Sequence, residues 1–91
     1  MVLVYGSIYI SMPQVETIKG KRAVVNSLKD KLKSKNISLL DISSSYNKEA
    51  EVAFAFLVTD QKAKQRYILE LERFLDRYFG EFEIEIDYED I

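Results

Sequence analysis

Two stretches of this 91-residue chain, Val2–Met12 and Ala50–Thr59, alternate with a period of two and carry apolar side chains in both registers. In the first, Val2, Val4, Ile8, Ile10 and Met12 interleave with Leu3, Tyr5, Ser7, Tyr9 and Ser11. In the second, Val52, Phe54, Phe56 and Val58 interleave with Ala53, Ala55 and Leu57. A strand apolar on both sides belongs in the middle of a sheet, because an edge or a wetted face would leave one register exposed. Gly6, inside the first strand, marks a bulge or a close approach of backbone.

The segments around these strands supply the remaining elements. Thr17–Lys35 reads as one amphipathic helix in which Ile18, Val24, Val25, Leu28 and Leu32 share a side, with Thr17 as N-cap and Asn36 as a left-handed terminator. Ile37–Ser43 is a second strand, and either Ile37 and Leu39 or Leu40 and Ile42 face inward. A polar turn over Ser44–Lys48 closes a hairpin to the third strand. Thr59-Asp60 supplies the cap of a second helix running to about Phe79, whose inner arc holds Ala63, Tyr67, Ile68, Leu71, Phe74, Leu75 and Tyr78, with Arg66–Glu70 and Arg73–Asp76 as surface pairs. Gly80 ends it at the C′ position. In the last strand, Glu81–Asp90, Phe82, Ile84, Ile86 and Tyr88 point inward and Glu83, Glu85, Asp87 and Glu89 outward.

The order βαββαβ within residues 1–91 specifies one α+β domain of the ferredoxin-like split βαβ type: a four-stranded antiparallel sheet with two helices on one face. Right-handed crossovers make the first and third strands central and the second and fourth the edges. These are the two strands with apolar side chains in both registers.

Cysteine and histidine are both missing, which removes thiol nucleophiles, imidazole bases, disulfides and the usual zinc ligands. No complete catalytic set is left, and the expectation is a protein that is not an enzyme and takes no cofactor or metal. No apolar run approaches the ~20 residues of a membrane span, and the amino terminus lacks a basic n-region. The expected location is cytoplasmic, without a membrane partner.

Charge is distributed unevenly behind a net −2. Between Glu16 and Asn36 seven Lys or Arg oppose two acids, whereas Gly80–Ile91 holds six carboxylates and no cation. On the first helix Lys19, Arg22, Asn26, Lys29 and Lys33 form a row of one sign, rising about 5 Å per step, comparable to the spacing of phosphates along a nucleic-acid strand. Two readings apply: a solvated helix face, or a surface for ribosomal RNA or a ribosomal particle. Lys21 projects into the apolar arc, either snorkelling over the core or aimed at a partner.

The uncovered sheet face carries Leu3, Tyr5 and Tyr9 beside Ala53, Ala55 and Leu57, an apolar patch suited to a homo-oligomeric interaction or ligand-sensing domain, such as a homodimer, assembled through the open sheet face or edge strands, or to covering by loops. Aromatics on central strands stack bases in RNA-recognition domains of this topology. Here Glu83, Glu85 and Asp87 on the neighbouring edge would repel phosphates crossing that face. Those carboxylates repeat about every 6.7 Å, too far apart for shared bidentate coordination, and suit the protection of an edge strand.

The segment TIKGKRAVVNSL (Thr17–Leu28) resembles the S-L-K-x-K-R-x-V-V-K-S-L signature of the YlxP-like family of small bacterial proteins. Asn36-Ile37-Ser38 with Asp41-Ile42 resembles that family's N-V-S-V-A-E-V strand, and Ala50–Ala55, AEVAFA, its A-E-L-G-V-A. The similarity spans nearly the whole chain. It implies a ferredoxin-like fold, no established activity, genes lying near a ribosome-binding factor and translation genes, and interest in Lys19, Lys21 and Arg22. Where the family commonly carries Trp-Gln-Arg before the third strand, this chain has Asn47-Lys48-Glu49.

Overall fold

In a computed structural model, which describes residues 1–44 and 48–91, the chain runs β1 (Val2–Ser11), α1 (Ile18–Leu32), β2 (Ser38–Asp41), β3 (Glu49–Val58), α2 (Gln61–Phe79) and β4 (Glu83–Asp90). The strands form one antiparallel sheet in the order β2-β3-β1-β4. This is the ferredoxin-like arrangement, with β1 and β3 in the centre. The turn expected over Ser44–Lys48 lies partly outside the described residues.

The central pair is in register from Val2 opposite Val58 to Ser11 opposite Glu49. Strand alternation therefore sends Val2, Val4, Ile8 and Ile10, with Ala50, Val52, Phe54 and Phe56, to one face, where all are buried. Val25, Leu28 and Leu32 of α1 and Ile68, Leu71, Leu75 and Phe79 of α2 close over them. Each such Val, Leu, Ile or Phe contributes about 1.5–3 kcal/mol when fully buried. α1 lies against β3, and α2 against β1 and β3.

Local signals act as the side-chain chemistry requires. Thr17 Oγ1 accepts the Gly20 N–H at 3.0 Å, and Asp60 Oδ1 accepts the Ala63 N–H at 2.8 Å, satisfying amides that have no partner inside their helices. Asn36 takes the left-handed conformation (φ 55°), and its side-chain amide donates to the Leu57 carbonyl at 3.1 Å. Gly6 is a close approach: the β1–β4 ladder runs through it unbroken, opposite Tyr88, and a Cβ there would strike the Asp87 carbonyl oxygen.

Several side chains depart from the periodic pattern. α1 ends at Leu32, with Lys33 as C-cap, short of Lys35. Ile18, expected on the apolar side, is 49% exposed at the first helical position. In and beside β2, Ile37 and Leu39 turn toward the core while Leu40 and Ile42 face out. Phe79 rather than Tyr78 is buried in the last turn of α2. Gly80 is right-handed (φ −65°), not left-handed; what calls for glycine is space, since a Cβ would lie 2.5 Å from the Asp76 carbonyl oxygen. Among the described residues the ion pair is Lys64–Asp90 at 3.1 Å, and neither Arg66–Glu70 nor Arg73–Asp76 closes to that distance.

Candidate nucleic-acid interface

The row on α1 is presented to solvent. Lys19, Arg22, Asn26 and Lys33 are exposed and Lys29 is half-buried. At 100° per residue the row is centred roughly 120° from the buried arc of Lys21, Val25, Leu28 and Leu32, so it occupies a flank of the helix rather than its crest. Asp41 shows which flank. Burial works to raise this carboxyl, but hydrogen bonds from Ser43 and the nearby ammonium groups of Lys29 and Lys21 outweigh it and hold it below the usual carboxylate range. The row therefore runs beside β2, with Lys29 near the Asp41 carboxylate.

Lys21 is set apart from the other four cations. Only 8% of it is exposed, and its ammonium donates to the Ser44 carbonyl. A buried ammonium needs such acceptors. This side chain fastens the end of β2 to α1 and does not stand on the outer surface where a partner would meet it.

A second cationic surface lies on the opposite flank. Between the C-terminal end of α1 and the last turns of α2 is a cleft of about 650 Å³ lined by Lys31, Lys35, Arg73 and Arg77, with Phe74 and Tyr78, against the single carboxylate of Glu70. Lys31 Nζ stands 5.1 Å from the Tyr78 ring centroid, a cation–π contact that ties the helices together. The Tyr67 hydroxyl donates to the Lys35 carbonyl at 2.5 Å, and its ring stacks on Phe56 at 3.9 Å. Sequence reading missed this cleft. Its trace was there, as cations four apart in each segment (31 and 35 at the end of α1 and just beyond it; 73 and 77 on α2), but only helix packing makes the pairs converge.

The open sheet face holds Leu3, Tyr5 and Tyr9 as expected from alternation. Leu3 is 36% exposed and Leu57, its partner across the ladder, 48%. Leu40 and Ile91 extend the patch. Tyr5 is engaged within the chain: its hydroxyl donates to Glu89 Oε2 at 2.7 Å, and that hydrogen bond, with the carboxylate's charge, raises the phenol above its ordinary value. Glu83, Glu85, Asp87 and Glu89 line the β4 margin of this face, and Ser7 Oγ donates to Glu51 Oε2 at 3.1 Å. Among the described residues no three carboxylates gather as a cation site, and no helix is long and apolar enough to cross a membrane.

These surfaces sit on a fold that other sequences adopt. A designed protein, "De novo designed protein Foldit4", superposes with a TM-score of 0.54 at 18% identity, covering 97% of this chain and 94% of its own. That likeness concerns the fold alone. Comparison with curated proteins gives no match. The family model described as "Protein of unknown function (DUF503)" matches residues 3–88. The chain belongs to that family. What distinguishes this DUF503 protein chemically is its surfaces.

Proposed function

We propose that this DUF503 protein is a non-catalytic accessory module that binds structured RNA, such as ribosomal RNA within a ribosomal particle, through α1. The observation that carries the reading is the row Lys19, Arg22, Lys29 and Lys33, laid along one flank of a helix while the β4 carboxylates stand at the opposite edge of the sheet. A phosphate backbone following the flank of α1 meets Lys19 and Arg22, then, past the neutral Asn26, Lys29 and Lys33, and releases counterions as it docks. At the C-terminal end of α1 the two cationic surfaces alternate along the chain, Lys31 and Lys35 lining the inter-helix cleft and Lys33 ending the row on the other flank. The resemblance to the YlxP-like proteins, encoded near translation genes, supports the same reading by association, and a cytoplasmic location goes with it.

Charge reversal along the row tests it. Wild type binds a ribosomal RNA fragment with an affinity that falls steeply with salt. Each of Lys19→Glu, Arg22→Glu and Lys33→Glu lowers the slope of log K against log salt by about 1 or more. Salt-independent binding, or variants that bind like wild type, would end the proposal.

A second reading draws on the exposed leucines of the open face. Leu3, Leu40 and Leu57 favour a homodimer joined face to face, with Tyr5 and Tyr9 at its margin. Sedimentation decides this: a protein monomeric at tens of micromolar rules the dimer out.

A further inference from the structure

β4 is the longer of the two sheet edges, eight residues against four in β2. Leu3 N–H donates to the Ile91 carbonyl at 3.2 Å and Ile91 N–H to the Leu3 carbonyl at 2.8 Å, which makes Leu3–Ile91 a hydrogen-bonded pair of the antiparallel ladder. By alternation, Glu89, Asp87 and Glu85 are the β4 residues that exchange both bonds with β1, through Tyr5, Ser7 and Tyr9. The N–H and C=O groups of Ile84, Ile86 and Tyr88 therefore point away from the sheet.

The side chains of those same three residues line a groove of about 590 Å³ between β4 and α2, together with Leu75, Phe79 and Phe82. Tyr88 is 40% exposed there. Glu72 and Asp76 of α2 form the far rim with Arg73. On the other side of the strand, Glu83, Glu85 and Asp87 face the open sheet. The edge is thus an unpaired backbone with an apolar trough on one side and a row of acids on the other.

We propose that this edge receives an extended segment of another protein in which Lys or Arg alternates with apolar residues. Such a segment adds a fifth strand: its main chain bonds Ile84, Ile86 and Tyr88, its apolar side chains enter the groove, and its cations lie over Glu83, Glu85 and Asp87. A second copy of β4 is excluded by its own pattern, since antiparallel pairing would set carboxylate against carboxylate on one face. Edge strands are ordinarily guarded by bulges, prolines or lysines. β4 has a continuous register and neither proline nor lysine, so its charge repels like strands and selects a basic one.

The test uses the full chain and a fluorescent eight-residue peptide alternating lysine with valine. Two controls accompany it: the same composition with the lysines blocked at one end, and a version with glutamate in place of lysine. The alternating peptide binds at least about tenfold tighter than either control, and on its addition the amides of Ile84, Ile86 and Tyr88 become slow to exchange. Combining Glu85→Lys with Asp87→Lys abolishes binding. N-methylation of the peptide amides that face β4 does the same, whereas methylation of the alternate set does not, so the test holds even if the double variant folds poorly. Equal binding of the blocked peptide, protection arising elsewhere, or protection of these amides by the protein's own concentration would each overturn the proposal.

Discussion

Lys21 shows how far a single residue can be read before its surroundings are known. Its position on the helical wheel announces that it enters the apolar arc, but not where its ammonium ends. That end is fixed by the Ser44 carbonyl, 23 residues away, beyond any local pattern. Replacing it by methionine keeps the packed methylenes and removes the charged donor, at an expected cost of about 1–3 kcal/mol in stability. RNA binding and its salt slope should stay unchanged, because the group is not on the surface. Chemical denaturation and the RNA titration together check this, and a Lys21→Met protein of full stability that has lost RNA affinity would reverse the assignment. Gly6 was legible as a special position, but only the approach of the Asp87 carbonyl decides between bulge and contact.

At the scale of elements, strands and helices were readable because period and caps agree: Thr17, Asn36 and Asp60 each act where their chemistry expects. The inward face of β2 was not, since apolar residues on both registers of a short strand give alternation nothing to choose between. The inter-helix cleft was also hidden, because Lys31 and Lys35 meet Arg73 and Arg77 only after the helices pack. The seam between α1 and β2 has a measurable consequence. Asp41 is held below the ordinary carboxylate value, so its contribution is fully present above that value and is lost as pH falls through its lower folded one. Asp41→Asn should therefore lower stability at neutral pH and flatten the acid limb of stability against pH below about 4. An unaltered acid limb would show that the carboxylate is not coupled to folding.

The whole molecule is a dipole built by topology. Strand order β2-β3-β1-β4 carries the acidic tail to one margin, while α1 holds its cations over the other side, packed on β3. Composition shows nearly balanced charge and conceals this separation; the order of elements, legible from the sequence, is what reveals it. Polyanions suit one side and a cationic strand the other. The most direct measurement is backbone amide chemical-shift mapping of the protein titrated with a structured ribosomal RNA fragment. Perturbations are expected over Ile18–Lys35 and around Arg73 and Arg77, with Glu83–Asp90 unmoved. Shifts concentrated on β4 or the open sheet face, or none at any RNA concentration, would contradict it.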